Sequence, residues 1–321
     1  MGRTNEVATA VREAAVRLAG QVEETAVIRS SIPGLNGVSF KLENRQHTGS
    51  FKFRGAMNRL LAADAAERAR GFVTASSGNH GAALARAMQL LNVSGVIFVP
   101  EQTSEQKLEA IRSAGGDVRF HGTDGLDTEL HARAYADEHD LTYVSPYNDP
   151  LIIAGQGTIG VELLRQVPDL ERVIISIGGG GLISGIAAAV KAARPAVEIV
   201  GCQPEASDVM TASVAAGRIV EKDSLPTLSD GTAGGVEADA ITFPLCRALV
   251  DRFVTVSEAD IAEAMRQAWQ HDQLRIEGAA GVAIAALAEL PSYDSNTVVI
   301  ICGGNVSDQR FNDVLNGRYP G

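Results

Sequence analysis

Four consecutive glycines, Gly178 to Gly181, interrupt an 18-residue stretch from Val173 to Val190 that carries no charge. Eighteen apolar residues are the lower limit for a membrane span, but four residues without a Cβ at its centre argue against one. The flanks differ in character. Val173-Ile174-Ile175 is β-branched, whereas Ile186-Ala187-Ala188-Ala189 favours a helix, so the stretch reads as a buried strand, a turn and a packed helix. Glycines at such a junction let successive backbone N–H groups converge, and the helix N-terminus adds partial positive charge. The junction therefore suits a phosphate, with a plain structural turn as the alternative. The Walker pattern fails because the chain has no Gly-Lys dipeptide, and the dinucleotide fingerprint fails because Ser184 stands where its third glycine belongs.

Elsewhere short apolar runs alternate with helical segments. Val7, Val11, Ala14, Ala15 and Leu18 recur at helical spacing and open the chain with an amphipathic helix. Strands are expected at 37–43, 71–74, 93–99, 117–120 and 141–145, then at 173–177, 198–202, 253–256 and 297–302. Helices are expected between them, as at 106–113 and 126–138, the former opened by a capping box of Thr103 and Gln106. Strand–helix alternation argues for an α/β fold with two open, twisted, mostly parallel sheets flanked by helices. One sheet belongs to residues 46–145 and the other to the rest. Residues 217–236, rich in Gly, Ser, Thr and Asp, are expected as a long loop that makes functional contacts.

A net charge of −11 with no Lys/Arg-rich block excludes the electrostatic footprint of a nucleic-acid binder. Cys202, Cys246 and Cys302 form no CxxC pair, which disfavours a disulfide framework or thiolate zinc site and fits a reducing compartment. No metal spacing links the histidines. The N-terminal residues Glu6, Glu13, Glu23 and Glu24 are unlike a signal or transit peptide, so the chain is expected to be cytoplasmic and off the membrane.

Three further segments carry chemistry. The chain has five lysines against 23 arginines, and Lys52 alone lies between aromatics, Phe51 and Phe53. Apolar flanks lower an amine's pKa, as a Schiff-base or proton-abstracting lysine requires, although a lysine snorkelling from a helix start has the same local sequence. Thr74-Ala75-Ser76-Ser77-Gly78-Asn79-His80-Gly81 offers hydroxyls, an amide, an imidazole and free N–H groups between a strand and a helix. That cradles a carboxylate or phenolic oxygen, where a simple helix cap needs one such residue. Cys302-Gly303-Gly304-Asn305 follows a strand, at the carboxyl end where open α/β sheets bind ligands, although a lone cysteine is more often just a small buried residue.

Together, Ser50-Phe51-Lys52, Ser76-Ser77-Gly78-Asn79-His80, Gly178–Gly181 and Cys302-Gly303-Gly304-Asn305 resemble fold-type II (tryptophan synthase β-like) pyridoxal-phosphate enzymes, within them the threonine/serine dehydratase and serine racemase branch. The segments 153–158 and 228–235 fit as well. The resemblance implies a large cofactor-binding domain of residues 1–45 and 146–321, a small domain of 46–145, and a homodimer. It implies that Lys52 binds pyridoxal 5'-phosphate covalently and moves protons, that Phe51 lies beside the ring and that Asn79 meets its phenolic oxygen. Gly178, Gly179, Gly180 and Gly181 would hold the phosphate. Cys302 would face the pyridine nitrogen, a neutral partner that makes a shallower electron sink than an aspartate and favours prompt loss of a β-substituent. Ser76, Asn79 and His80 would take the substrate carboxylate.

The activity implied is dehydration of a β-hydroxy amino acid such as L-threonine or L-serine to a 2-oxo acid and ammonia. Ser77 stands where racemases of the family place a proton-carrying serine, so racemisation is the rival. Dehydration of 3-hydroxyaspartate, phenylserine or a hydroxyectoine derivative shares the same core chemistry. A scaffold that has lost catalysis is disfavoured, since the lysine and the asparagine loop are intact. Three departures from the family stand out. Gln203, Ser207 and Val209 occupy its metal-binding positions, so no metal is expected. Gly278 follows Glu277 where a proline is usual. A C-terminal regulatory domain is not expected.

Overall fold

The computed structural model describes residues 2–291 and 296–319. Its strands are β1 (Val27–Arg29), β2 (Ser39–Lys41), β3 (Phe72–Ala75), β4 (Gly95–Val99), β5 (Asp117–Phe120), β6 (Thr142–Tyr143), β7 (Arg172–Ser176), β8 (Glu198–Pro204), β9 (Arg252–Val256) and β10 (Thr297–Ile300). They build a six-stranded sheet in the order β1-β2-β10-β7-β8-β9 and a four-stranded sheet in the order β5-β4-β3-β6. Every pairing is parallel except that of β1 with β2. The expected pair of mostly parallel sheets is present. The strand β1 was not foreseen: its three residues are too few to show a period, and pairing with β2 alone defines it.

Helices cover the sheets. In chain order they are α1 (Gly2–Arg17), α2 (Lys52–Ala62), α3 (Ala65–Arg70), α4 (Asn79–Leu91), α5 (Glu105–Ser113), α6 (Gly125–Glu138) and α7 (Pro150–Gln166). They continue with α8 (Gly181–Ala193), α9 (Val209–Ala216), α10 (Thr242–Leu249), α11 (Glu258–Asp272), α12 (Gly278–Ala285) and α13 (Asp308–Leu315). The central strands are apolar on both faces, and Val173, Ile174, Ile175, Val298, Val299 and Ile300 are all fully buried, as expected for parallel strands covered on two sides. The expected capping box before α5 does not form. Ser104 takes the N-cap position without a side-chain cap, and the Thr103 hydroxyl turns back to donate to the Pro100 carbonyl at 2.7 Å. Residues 217–241 hold no helix or strand, as the composition of 217–236 predicts.

The site is positioned by close helix contacts around α7. A Cβ on Gly55 of α2 would lie 3.0 Å from the Ile152 carbonyl, and one on Gly155 would lie 2.6 Å from that of Arg54. On the other side, a Cβ on Gly185 of α8 would fall 2.3 Å from the Ile153 carbonyl. Backbones that close leave no room for a side chain. Gly185→Ala is therefore expected to destabilise the protein by about 1–3 kcal/mol through overpacking. A urea unfolding midpoint equal to that of the unaltered protein would contradict this packing.

Candidate active site

The carboxyl ends of β3, β7 and β10 face one cavity of about 410 Å³, the position where open parallel sheets bind ligands. Phe51, Lys52, Ser76, Ser77, Asn79, His80, Gly178–Gly181 and Cys302 all line it, so the structure brings together every site residue singled out in the sequence.

Lys52 opens α2, and the loop before it is tied to the loop after β10. Phe51 N–H donates to the Cys302 carbonyl at 3.0 Å, Gly304 N–H donates to that of Gly49 at 2.9 Å, and Ser50 bridges to Gly303. The Lys52 amine donates to the Pro146 carbonyl at 2.8 Å and lies 5.2 Å from the centre of the Phe51 ring. Enclosure in the cavity wall pulls its pKa down to about 8, with the nearby Glu277 carboxyl opposing. The two flanking aromatics differ in placement. Phe51 is beside the amine, but Phe53 is buried in the core under the small sheet. Lys41 is also buried with a lowered pKa, yet its amine is saturated by Glu162, Gln166 and the Thr25 carbonyl.

The glycine run joins β7 to α8, and no side chain caps that helix. Gly180 has φ +85°, and a Cβ on Gly179 would fall 2.3 Å from the Tyr147 ring. The Thr242 hydroxyl donates to the Gly179 carbonyl at 2.6 Å. Only glycine fits, and the uncapped N–H groups of the first turn form the anion-binding end of the cavity. A second uncapped helix, α4, begins at Asn79. The asparagine loop therefore does not serve as an ordinary cap.

Asn79 spans the two sheets. Its amide nitrogen donates to both Glu277 oxygens at 3.0 Å, and its oxygen accepts from Asn305 at 2.7 Å. Burial pushes the Glu277 carboxyl up to about 7, with the Asn79 hydrogen bond opposing. Burial also raises the Cys302 thiol, whose sulfur lies 3.6 Å from the Ser176 hydroxyl and 3.9 Å from Glu277, so it stays neutral. His80 is 2% exposed, and burial holds its pKa down near 3. Because the ring is neutral, Nε2 donates to the Val144 carbonyl at 3.1 Å and Nδ1 is left as a buried acceptor without a protein partner. Ser77 lines the cavity beside these groups.

Sequence reasoning missed Tyr147, Ser176 and Thr128, which also line the cavity. Nothing local marks them, since their roles come from the chain passing the glycine run and the asparagine loop. Thr232 and Asp230 line it too, from the long loop that composition had flagged. Where relatives were expected to hold a metal, the Gln203 oxygen accepts from the Thr211 N–H and hydroxyl at 2.8 Å, and Lys222 pairs with Asp208. Among the described residues no group of three His, Cys, Asp or Glu could hold a metal ion, and no helix is long and apolar enough to cross a membrane.

A cavity with an uncapped glycine-lined helix end, a desolvated amine and a neutral thiol suits a small ring bearing a phosphate and an aldehyde. The family comparison agrees: the model described as "Pyridoxal-phosphate dependent enzyme" matches residues 19–303. The chain belongs to this family, and its cofactor is pyridoxal 5'-phosphate. A putative threonine dehydratase of Sinorhizobium fredii is 38% identical over 98% of this chain and 97% of its own length. An L-threonine ammonia-lyase of Geobacter sulfurreducens is 37% identical over 97% of this chain and 80% of its own. The structure of maize serine racemase aligns with a TM-score of 0.89 at 33% identity, covering 96% of both chains.

With a pKa of about 8, Lys52 becomes neutral and nucleophilic as pH rises through that value. Acylation of the apo-protein at Lys52 by an amine-reactive ester, read by peptide mapping, is expected to rise with pH and level off above pH 8. A midpoint near 10.4, the value for a solvated lysine, would contradict the enclosure.

Proposed function

We propose that this enzyme is an ammonia-lyase that dehydrates a β-hydroxy amino acid, such as L-threonine or L-serine, to a 2-oxo acid and ammonia. The observation that carries the reading is the Lys52 amine, held at a pKa of about 8 in one cavity with the glycine run, the asparagine loop and a neutral thiol. The threonine dehydratase and ammonia-lyase relatives support it.

Gly178–Gly181 would hold the phosphate and Lys52 the aldehyde carbon, with Phe51 beside the ring and Asn79 toward its phenolic oxygen. Cys302 would meet the ring nitrogen as a neutral thiol. Bound there, the cofactor supplies an electron sink for the substrate's α-carbon, a shallow one because nothing keeps the ring protonated. Ser76, Asn79 and the backbone N–H groups at the start of α4, including that of His80, take the substrate carboxylate. The neutral His80 ring contributes no charge and stays on the Val144 carbonyl. Lys52 Nζ accepts the substrate's α-proton and returns it to the departing β-hydroxyl, so that water leaves. The released 2-aminoalkenoate hydrolyses to the 2-oxo acid and ammonium.

The same reading assigns residues 1–45 and 146–321 to a large domain and 46–145 to a small one, with substrate entering between them. It places a homodimer in the cytoplasm, where three free, buried cysteines suit reducing conditions.

Ser77 supports a second activity. A hydroxyl lining the same cavity as Lys52 can reprotonate the α-carbon, which gives amino-acid racemisation. The two activities are separated by incubating the holoenzyme with L-serine and measuring pyruvate and D-serine. Pyruvate is expected to dominate, and Ser77→Ala to lower D-serine more than pyruvate. Lys52→Ala is expected to lose roughly 10²–10⁴-fold of 2-oxo acid release, the usual worth of a positioned acid–base group. Turnover retained in Lys52→Ala would overturn the mechanism, and a panel of β-hydroxy amino acids fixes the preferred side chain.

A further inference from the structure

Two residues beyond Lys52, Arg54 enters a buried cluster of four charges that the mechanism does not use. Arg54, Lys41 and Glu43 are all fully buried, and Glu162 is 9% exposed. The Arg54 fork meets Glu43 side-on, with Nε and Nη2 each 2.8 Å from a carboxylate oxygen. Its other edge meets Glu162 at 2.5 and 3.0 Å. Lys41 closes the cluster on Glu162.

Taking four charges out of water is costly, and well-packed apolar residues serve stability as well or better. What the cluster provides is geometry, because two bidentate contacts fix the guanidinium plane in every direction. Its members come from elements that each lead to a different part of the site. Arg54 lies in the first turn of α2, behind Lys52. Lys41 of β2 is the register partner of Ile300, two residues before Cys302, and its carbonyl accepts from Ile301 N–H at 2.9 Å. Glu162 belongs to α7, which packs on α8 behind the glycine run.

We propose that Arg54, clamped between Glu43 and Glu162, is a positioning residue that sets where the Lys52 amine stands relative to the thiol and the phosphate-binding glycines. The proposal rests on the reading of Lys52 as the residue that joins the cofactor. Arg54→Lys keeps the charge and loses the fork, so α2 keeps its partner but not its fixed orientation.

The test compares the affinity of the apo-protein for pyridoxal phosphate with that for pyridoxamine phosphate. The second compound has the same ring and phosphate but no aldehyde, so it needs the glycine run and not the amine. Lys52→Ala sets the scale, lowering the first affinity and leaving the second unchanged. If Lys52→Ala lowers both together or neither, the reading of Lys52 fails, whatever Arg54 does. Arg54→Lys is expected to weaken pyridoxal phosphate binding by about tenfold or more, with pyridoxamine phosphate within about threefold, since small misplacements of a reacting group cost up to about 10². In the holoenzyme kcat is expected to fall with little change in KM. If Lys52→Ala separates the two ligands and folded Arg54→Lys does not, the positioning role is overturned. Should Arg54→Lys not fold, Glu43→Gln decides. It keeps shape and acceptor oxygen, the same split is expected on a smaller scale, and equal loss or no loss of both affinities overturns the proposal.

Discussion

The enzyme depends on the span between an amine at one end of its cavity and an anion-binding helix start at the other. That span is held by α7, which lies between α2 and α8 with glycines at both contacts. Gly155 admits the α2 backbone, and Gly185 of α8 admits the α7 backbone. A methyl group at either contact would push one end of the site away from the other. Packing of this density behaves as a rigid spacer rather than a fluid core, so small shifts there reach the reacting atoms.

Within that frame, desolvation governs the chemistry. Burial lowers Lys52 to about 8 and His80 to about 3, raises Glu277 to about 7, and raises the Cys302 thiol. In each case the cause is the same: the charged form loses water and finds incomplete compensation. The result is a cavity in which His80 and Cys302 are neutral near physiological pH, while Lys52 and Glu277 are drawn toward it from opposite sides. Backbone N–H groups at the starts of α4 and α8 supply a fixed positive field where the substrate carboxylate and the cofactor phosphate belong.

The contrast between Lys41 and Lys52 shows how far residue patterns carry. The sequence singles out Lys52 for its aromatic neighbours, yet Phe53 points into the core and Lys41 is buried as well. What separates them is partners. Lys41 is matched by a carboxylate, an amide and a carbonyl, whereas Lys52 holds a single carbonyl and faces the cavity. Asn79 is similar: the loop announced an amide at a helix start, but its grip on Glu277 and Asn305 joins segments about two hundred residues apart. The failed capping box before α5 shows the same limit at short range, since the hydroxyl of Thr103 found a closer acceptor in Pro100.

The strand–helix alternation, the glycine junction, the asparagine loop and the residue set that marks the family are all legible in the linear chain, because backbone conformation and local hydrogen bonding act within a few residues. Three-dimensional packing alone settles which lysine faces the cavity, which carboxyl is driven toward neutrality, and how Arg54, Glu43 and Glu162 lock together behind the site. Burial and partner saturation are sums over elements distant in the chain, and no local pattern encodes them.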